Sequence, residues 1–181
     1  TKTLTAVAVL QLAQRGSIDL DKPVATYLPD FPYPPAVTVK ELLQHTAGIP
    51  NPLPLRWVHL EEEHFTFKSG SFFDHVFRAN PTLDFAPGTR FRYSNLGYVL
   101  LGQLIERVSG QPYQDYIQQH IISPVGANNN LSFSLETSRH ATGYQKRWSW
   151  LNALLGWMID KQRLMGPHEG GWKPFRPFYV N

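Results

Sequence analysis

Cysteine is absent from the 181 residues, which removes disulfides and thiolate metal sites and leaves the redox compartment open. Basic runs are absent too. The 17 Lys/Arg and 14 Asp/Glu residues are scattered and sum to +3, so a pI of about 9.2 carries no footprint for nucleic acid. The seven histidines show neither H-x-x-x-H nor H-E-x-x-H spacing, and no metal or other cofactor is expected. No apolar stretch reaches the roughly 20 residues that a membrane-spanning helix needs. The chain begins Thr1-Lys2 and enters an apolar helix with no Met, signal peptide or polar lead-in, and it stops at Val180-Asn181 inside an aromatic segment. Both ends read as cut, and no localisation is indicated. What is present is a 42% hydrophobic composition, enough to bury a core in one domain.

The most informative stretch runs from Phe85 to Gly110 (FAPGTRFRYSNLGYVLLGQLIERVSG). Phe85-Ala86-Pro87-Gly88 has turn chemistry, Pro presetting φ and Gly accepting angles that other residues refuse. Arg90-Phe91-Arg92-Tyr93 is too short and charged for a core strand, so it reads as a loop. From about Leu96 the pattern is helical and apolar nearly all round, with Gln103, Glu106 and Arg107 forming a later polar stripe. Such a helix starts in the interior and ends at the surface, and Gly110 is its C-terminal stop. Tyr93 and Asn95 thereby flank Ser94 on a turn at the mouth of a buried helix, a rigid place for polar chemistry. The structural alternative has Tyr93 packing, Ser94 capping and Asn95 closing the turn.

Elsewhere the periodicity predicts a core helix over Thr3 to Arg15, stopped by Gly16. Lys2 stands at its N-terminus, the wrong end of the macrodipole for a cation, and burial would also favour the neutral amine. A lysine there is either frayed into solvent or wanted as a base. Thr38-Val39-Lys40-Glu41 fits a capping box opening a short helix, Val39 to Gln44, which His45-Thr46-Ala47-Gly48-Ile49-Pro50 ends. Asn51 to Gly70 reads as a loop, Ser71 to Ala79 as a helix capped by Ser71, and Pro112 to about Ile121 as a helix begun by proline. Ala141 to Lys146 reads as a strand. Trp148 to Met165 is apolar on most sides, with basic residues before and within it. It reads first as a core or lid element and second as a patch contacting a membrane surface.

Thr1-Lys2 opening a helix, then LLQHTAGIP, then PGTRFRYSNLGYVLLGQLIERVSGQPY form an ordered series. The series resembles the serine β-lactamase superfamily, nearest the class C enzymes, D-alanyl-D-alanine carboxypeptidases and family VIII esterases, over about Thr1 to Tyr144. The resemblance implies an α+β, β-lactamase/transpeptidase-like fold, here mostly the helical domain with an incomplete antiparallel sheet. The whole chain is then one partial domain, helical over about 1–130, with the start of the sheet region and an aromatic insertion over about 131–181. In that family the motifs are Ser-x-x-Lys, Tyr-x-Asn, and Lys-Thr-Gly or a His-x-Gly variant. Lys2 matches the first lysine, and Tyr93 and Asn95 match the second motif. The nucleophilic serine is expected two residues before Thr1, and the third motif beyond Asn181. Lys68-Ser69-Gly70 mimics the third motif but precedes Tyr-x-Asn, so it is a decoy.

The resemblance implies a serine hydrolase that forms an acyl-enzyme on an ester, amide or β-lactam carbonyl of a small-molecule substrate. Lys2 and Tyr93, a coupled pair, would activate the serine, and Tyr93 would protonate the leaving group. Asn95 would hold Lys2 and a substrate amide, and Asn51 is a second candidate for substrate contact. The tryptophans at 148, 150 and 157 lean the expectation towards an esterase. Residues 1–181 alone are expected to be inert. Two other readings compete: a binding or assembly protein that has lost the serine, and a Thr1 N-terminal hydrolase, whose relatives normally begin on a strand. Oligomeric state is not indicated.

Overall fold

An apolar run without a helix breaker produces the first helix, α1 (Lys2–Gln14). The computed structural model describes residues 1–52, 57–128, 130–131, 133, 142–146, 150, 160–167, 169–176 and 178–180. The chain divides into two units, Thr1–Pro52 with His75–Phe133, and Leu53–Asp74 with Ser134–Asn181.

In the first unit α1 is followed by α2 (Val39–Leu43), whose N-cap Thr38 accepts from Glu41 N while the Glu41 carboxylate accepts from Thr38 N. This is the capping box expected from the sequence. Helix α3 (Ser69–Ala79) ends in this unit, and α4 (Asn95–Ser109) runs through its core. Leu96, Leu100 and Leu104 recur every fourth residue with Leu101 and Ile105 beside them, and all five are fully buried. Each such side chain contributes roughly 1.5–3 kcal/mol through burial, which makes α4 the axis of the unit. Glu106 and Arg107 are exposed and Gly110 caps the helix with φ 70°, so α4 does run from interior to surface. Ala8, Val9 and Leu12 of α1 and Val39 and Leu42 of α2 are buried with it, both helices packing against α4. Helix α5 (Tyr113–Ile117), capped by Pro112, continues as one π-helical turn over Gln118–Ile122.

Among the described residues, the second unit carries two antiparallel ribbons. Strand β1 (Val58–Leu60) pairs with β4 (Phe178–Val180), and β2 (Tyr144–Lys146) pairs with β3 (Trp172–Pro174). A short helix, α6 (Lys161–Leu164), also lies here. Among the described residues the sheet content is thus small and antiparallel.

Several expectations change. Asn51 to Gly70 is more than a loop: it holds β1, a 3-10 turn over Glu61–Thr66 and the start of α3. Glu62 and Glu63 pair with Arg176 and Arg163, partners 114 and 100 positions away. Glu63 also accepts from Leu60 N at 2.8 Å, closing the turn locally. Helix α3 starts at Ser69, and the Ser71 hydroxyl donates to Lys68 O instead of capping. The expected strand over Ala141 to Lys146 is regular only from Tyr144; Ala141 lies outside the described residues. So does most of Trp148 to Met165, of which Leu164 and Met165 are buried. Among the described residues no helix is long and apolar enough to cross a membrane.

Candidate functional site

The site belongs to the first unit and is built at the mouth of α4. Ser94 is extended (φ −138°, ψ 125°), and its hydroxyl accepts from Gly97 N at 3.1 Å and donates to Pro50 O at 2.9 Å. The structural role foreseen for Ser94 is therefore real. It leaves Tyr93 and Asn95 on either side of a locked, buried cap. Ser94→Ala removes the cap and strands the Pro50 carbonyl, so unfolding in urea should show a loss of about 1–3 kcal/mol.

The second wall is the turn after α2. His45 holds a left-handed backbone at φ 58° and Gly48 another at φ 75°. Three backbone bonds tie the turn to the segment leading into Tyr93: Arg92 N to His45 O at 2.9 Å, Gly88 N to Thr46 O at 2.9 Å and Asp84 N to Gly48 O at 2.8 Å. An Arg92–Asp84 ion pair at 2.8 Å adds to this seam. Two sequence-distant loops are thus zipped together by their main chains, and the residues at their ends are brought face to face.

Those residues form one cluster. The Lys2 Nζ lies 5.2 Å from the centroid of the Tyr93 ring and 5.9 Å from that of Tyr98, within reach of both ring faces for a cation. The Tyr93 hydroxyl donates to Asn95 Oδ1 at 3.0 Å. Asn51 Oδ1 accepts twice from Asn95, from its backbone N at 2.9 Å and its Nδ2 at 3.1 Å. The His45 ring packs, tilted, on both Tyr93 (centroids 4.8 Å) and Tyr98 (4.9 Å), and its Nδ1 accepts from Ser94 N at 3.2 Å. Burial, then the nearby Lys2 charge, pushes the His45 imidazole below its ordinary range. Burial, then Tyr93, raises the Tyr98 phenol, whose hydroxyl donates to Leu43 O at 3.1 Å. Tyr93 itself is 45% exposed, so a ligand can reach it.

Lys2, Tyr93, Asn95 and Asn51, all singled out in the sequence, are therefore neighbours. Their pairing differs from expectation in two respects. Asn95 bonds Tyr93 through Oδ1 and Asn51 through Nδ2, whereas Lys2 meets the Tyr93 and Tyr98 rings. Asn51 likewise has its oxygen committed to Asn95, leaving Nδ2 as the group it can offer a ligand. The residue that sequence reasoning missed is His45, taken there as no more than the end of a helix. Its signal was its place in LLQHTAGIP, three residues ahead of a glycine and six ahead of Asn51.

A family model described as Beta-lactamase matches residues 1–172. The chain is 31% identical over 150 residues to Penicillin-binding protein 4* of Bacillus subtilis, covering 80% of this chain and 33% of that protein. Among solved structures it is similar to a penicillin binding protein from Bacillus halodurans (TM-score 0.64, 29% identity, 80% of this chain and 46% of that one). It is also similar to the D-amino acid amidase of Ochrobactrum anthropi SV3 (TM-score 0.63, 29% identity, 80% and 40%). The chain spans about a third of the length of the curated relatives it matches.

Proposed function

Because this chain belongs to the Beta-lactamase family, we propose that the full-length protein is a serine hydrolase that opens an amide, β-lactam or ester carbonyl through an acyl-enzyme. The observation that supports this most directly is the convergence of an amine from α1 and a phenol from the loop before α4, Lys2 Nζ lying 5.2 Å from the Tyr93 ring. The nucleophile is a serine two residues before Thr1, one helical turn from Lys2 and on its face of the helix. A serine hydroxyl needs an adjacent base to attack, and the Lys2–Tyr93 pair supplies it. The pair takes the hydroxyl proton as the serine oxygen bonds to the carbonyl carbon. Tyr93 returns a proton to the leaving nitrogen or oxygen as that bond breaks. Water then cleaves the acyl ester, releasing a carboxylic acid and the free serine. Asn95 aims the Tyr93 phenol and, through Asn51 Nδ2, the cluster offers a donor to a substrate carbonyl.

Relatives named as penicillin-binding proteins and an amidase favour amide and lactam substrates. The lean towards esters rests on three tryptophans, of which Trp148 and Trp157 lie outside the described residues and Trp150 is 94% exposed. Assays of the full-length protein on nitrocefin, D-amino acid p-nitroanilides and p-nitrophenyl esters decide among them. We expect turnover, with an acyl adduct on the predicted serine by mass spectrometry, and no turnover by residues 1–181 alone. Lactam turnover without ester turnover removes the ester reading. A full-length protein lacking that serine and inert on all three substrates is instead a binding or assembly protein.

A further inference from the structure

We propose that His45 is a positioning residue: accepting from Ser94 N through Nδ1 and wedged between the rings of Tyr93 and Tyr98, it sets the direction in which the Tyr93 phenol meets Asn95 and Lys2. The proposal rests on the hydrolase reading above. Two features fix the backbone of His45 and two fix its ring. Its backbone sits at φ 58°, a region that non-glycine residues enter infrequently. Its carbonyl accepts from Arg92 N at 2.9 Å, and its Nδ1 accepts from Ser94 N at 3.2 Å. Phe91 closes the remaining side edge-on, with centroids 5.9 Å apart. His45 therefore holds the residues on both sides of Tyr93, Arg92 through its carbonyl and Ser94 through its ring, and the ring also packs on Tyr93 itself. A residue so placed moves Tyr93 if it moves.

The hydrogen bond to Ser94 also specifies the protonation state. An acceptor at Nδ1 carries no proton there, so the neutral ring bears its hydrogen on Nε2. A second proton would turn Nδ1 into a donor facing the Ser94 N–H donor. It would also set a cation beside the Lys2 ammonium. The groups around the ring are Lys2 from α1, Tyr93 and Phe91 from the loop, and Tyr98 from α4, with no carboxylate among them to stabilise an imidazolium. Acid should therefore break this support, on top of whatever it does to the Lys2–Tyr93 pair.

The test uses the full-length protein and the substrate it turns over best. His45→Asn keeps a side chain that tolerates the left-handed backbone and an acceptor for Ser94, and it removes the ring. We expect kcat to fall about a hundredfold, the scale of an ångström of misplacement in a reacting group, with KM little changed. In the wild type the slope of log kcat/KM against pH steepens from one to two as His45 titrates, at a pH read separately from its imidazole nitrogen-15 shifts. In His45→Asn it stays at one. Wild-type kcat in His45→Asn overturns the proposal. So does a wild-type slope that stays at one through the titration seen by NMR, an arm that needs no folded variant. No turnover of any of the three substrate classes by the full-length wild type sinks the hydrolase reading instead, and the two failures are thereby separable.

Discussion

Tyr93→Phe in the full-length protein should lower kcat/KM by about 10²- to 10⁴-fold, the usual contribution of a positioned acid–base group, while the melting temperature barely changes. The substitution deletes one oxygen and keeps the ring that packs on His45 and faces Lys2. The lost hydrogen bond, to Asn95 Oδ1, is solvent-exposed, so its removal costs about 0.5–1.5 kcal/mol at most. Activity and stability therefore part company, which a purely structural tyrosine would not show. Lys2→Met should cost a similar factor, and the double variant little more than either alone, because residues acting as one unit are not additive. Stopped-flow acylation rates against a thermal melt of each variant are the measurement. Wild-type acylation in Tyr93→Phe removes the phenol from the chemistry.

Gly48→Ala should be the most damaging small substitution in the first unit. A Cβ there would stand 2.2 Å from the carbonyl oxygen of Phe85, a backbone atom that cannot swing aside, and the residue needs φ 75°. Backbone strain and overpacking each cost about 1–3 kcal/mol, so a total loss near 2–6 kcal/mol is expected. The displaced segment is the one bonded through Asp84 N to Gly48 O and running on to Tyr93, so in the full-length protein hydrolysis should be lost with the stability. Gly16→Ala is the control. It has nearly the same φ, 74°, but nothing within 4 Å of the added carbon, and it should lose only the 1–2 kcal/mol or so of a left-handed residue. Equal losses in the two variants, measured in urea, would refute the clash.

Local signals were reliable where local physics decides the outcome. The Thr38–Glu41 capping box and the glycine stop of α4 lie within one helical turn of the atoms they satisfy, and the apolar pattern of α4 is written in its own residues, so residue order alone specified them. That Glu62 and Glu63 pair with Arg176 and Arg163 was not legible along the chain, because no local window contains those partners. The start of α3 was misplaced by two residues because a serine near a helix end can bond backwards as easily as it can cap.

By itself, the sequence determined the helical core, the Tyr93-Ser94-Asn95 turn and, through the order of its motifs, the family to which the chain belongs. Tertiary structure alone decided who bonds to whom: that Asn95 serves Tyr93 and Asn51 rather than Lys2, and that His45 stands between Tyr93 and Tyr98. The reason lies in range. Helix periodicity and caps are set by neighbours along the chain, whereas the direction of a carboxamide or an imidazole is set by donors brought from some 45 residues away when two loops close their backbone seam.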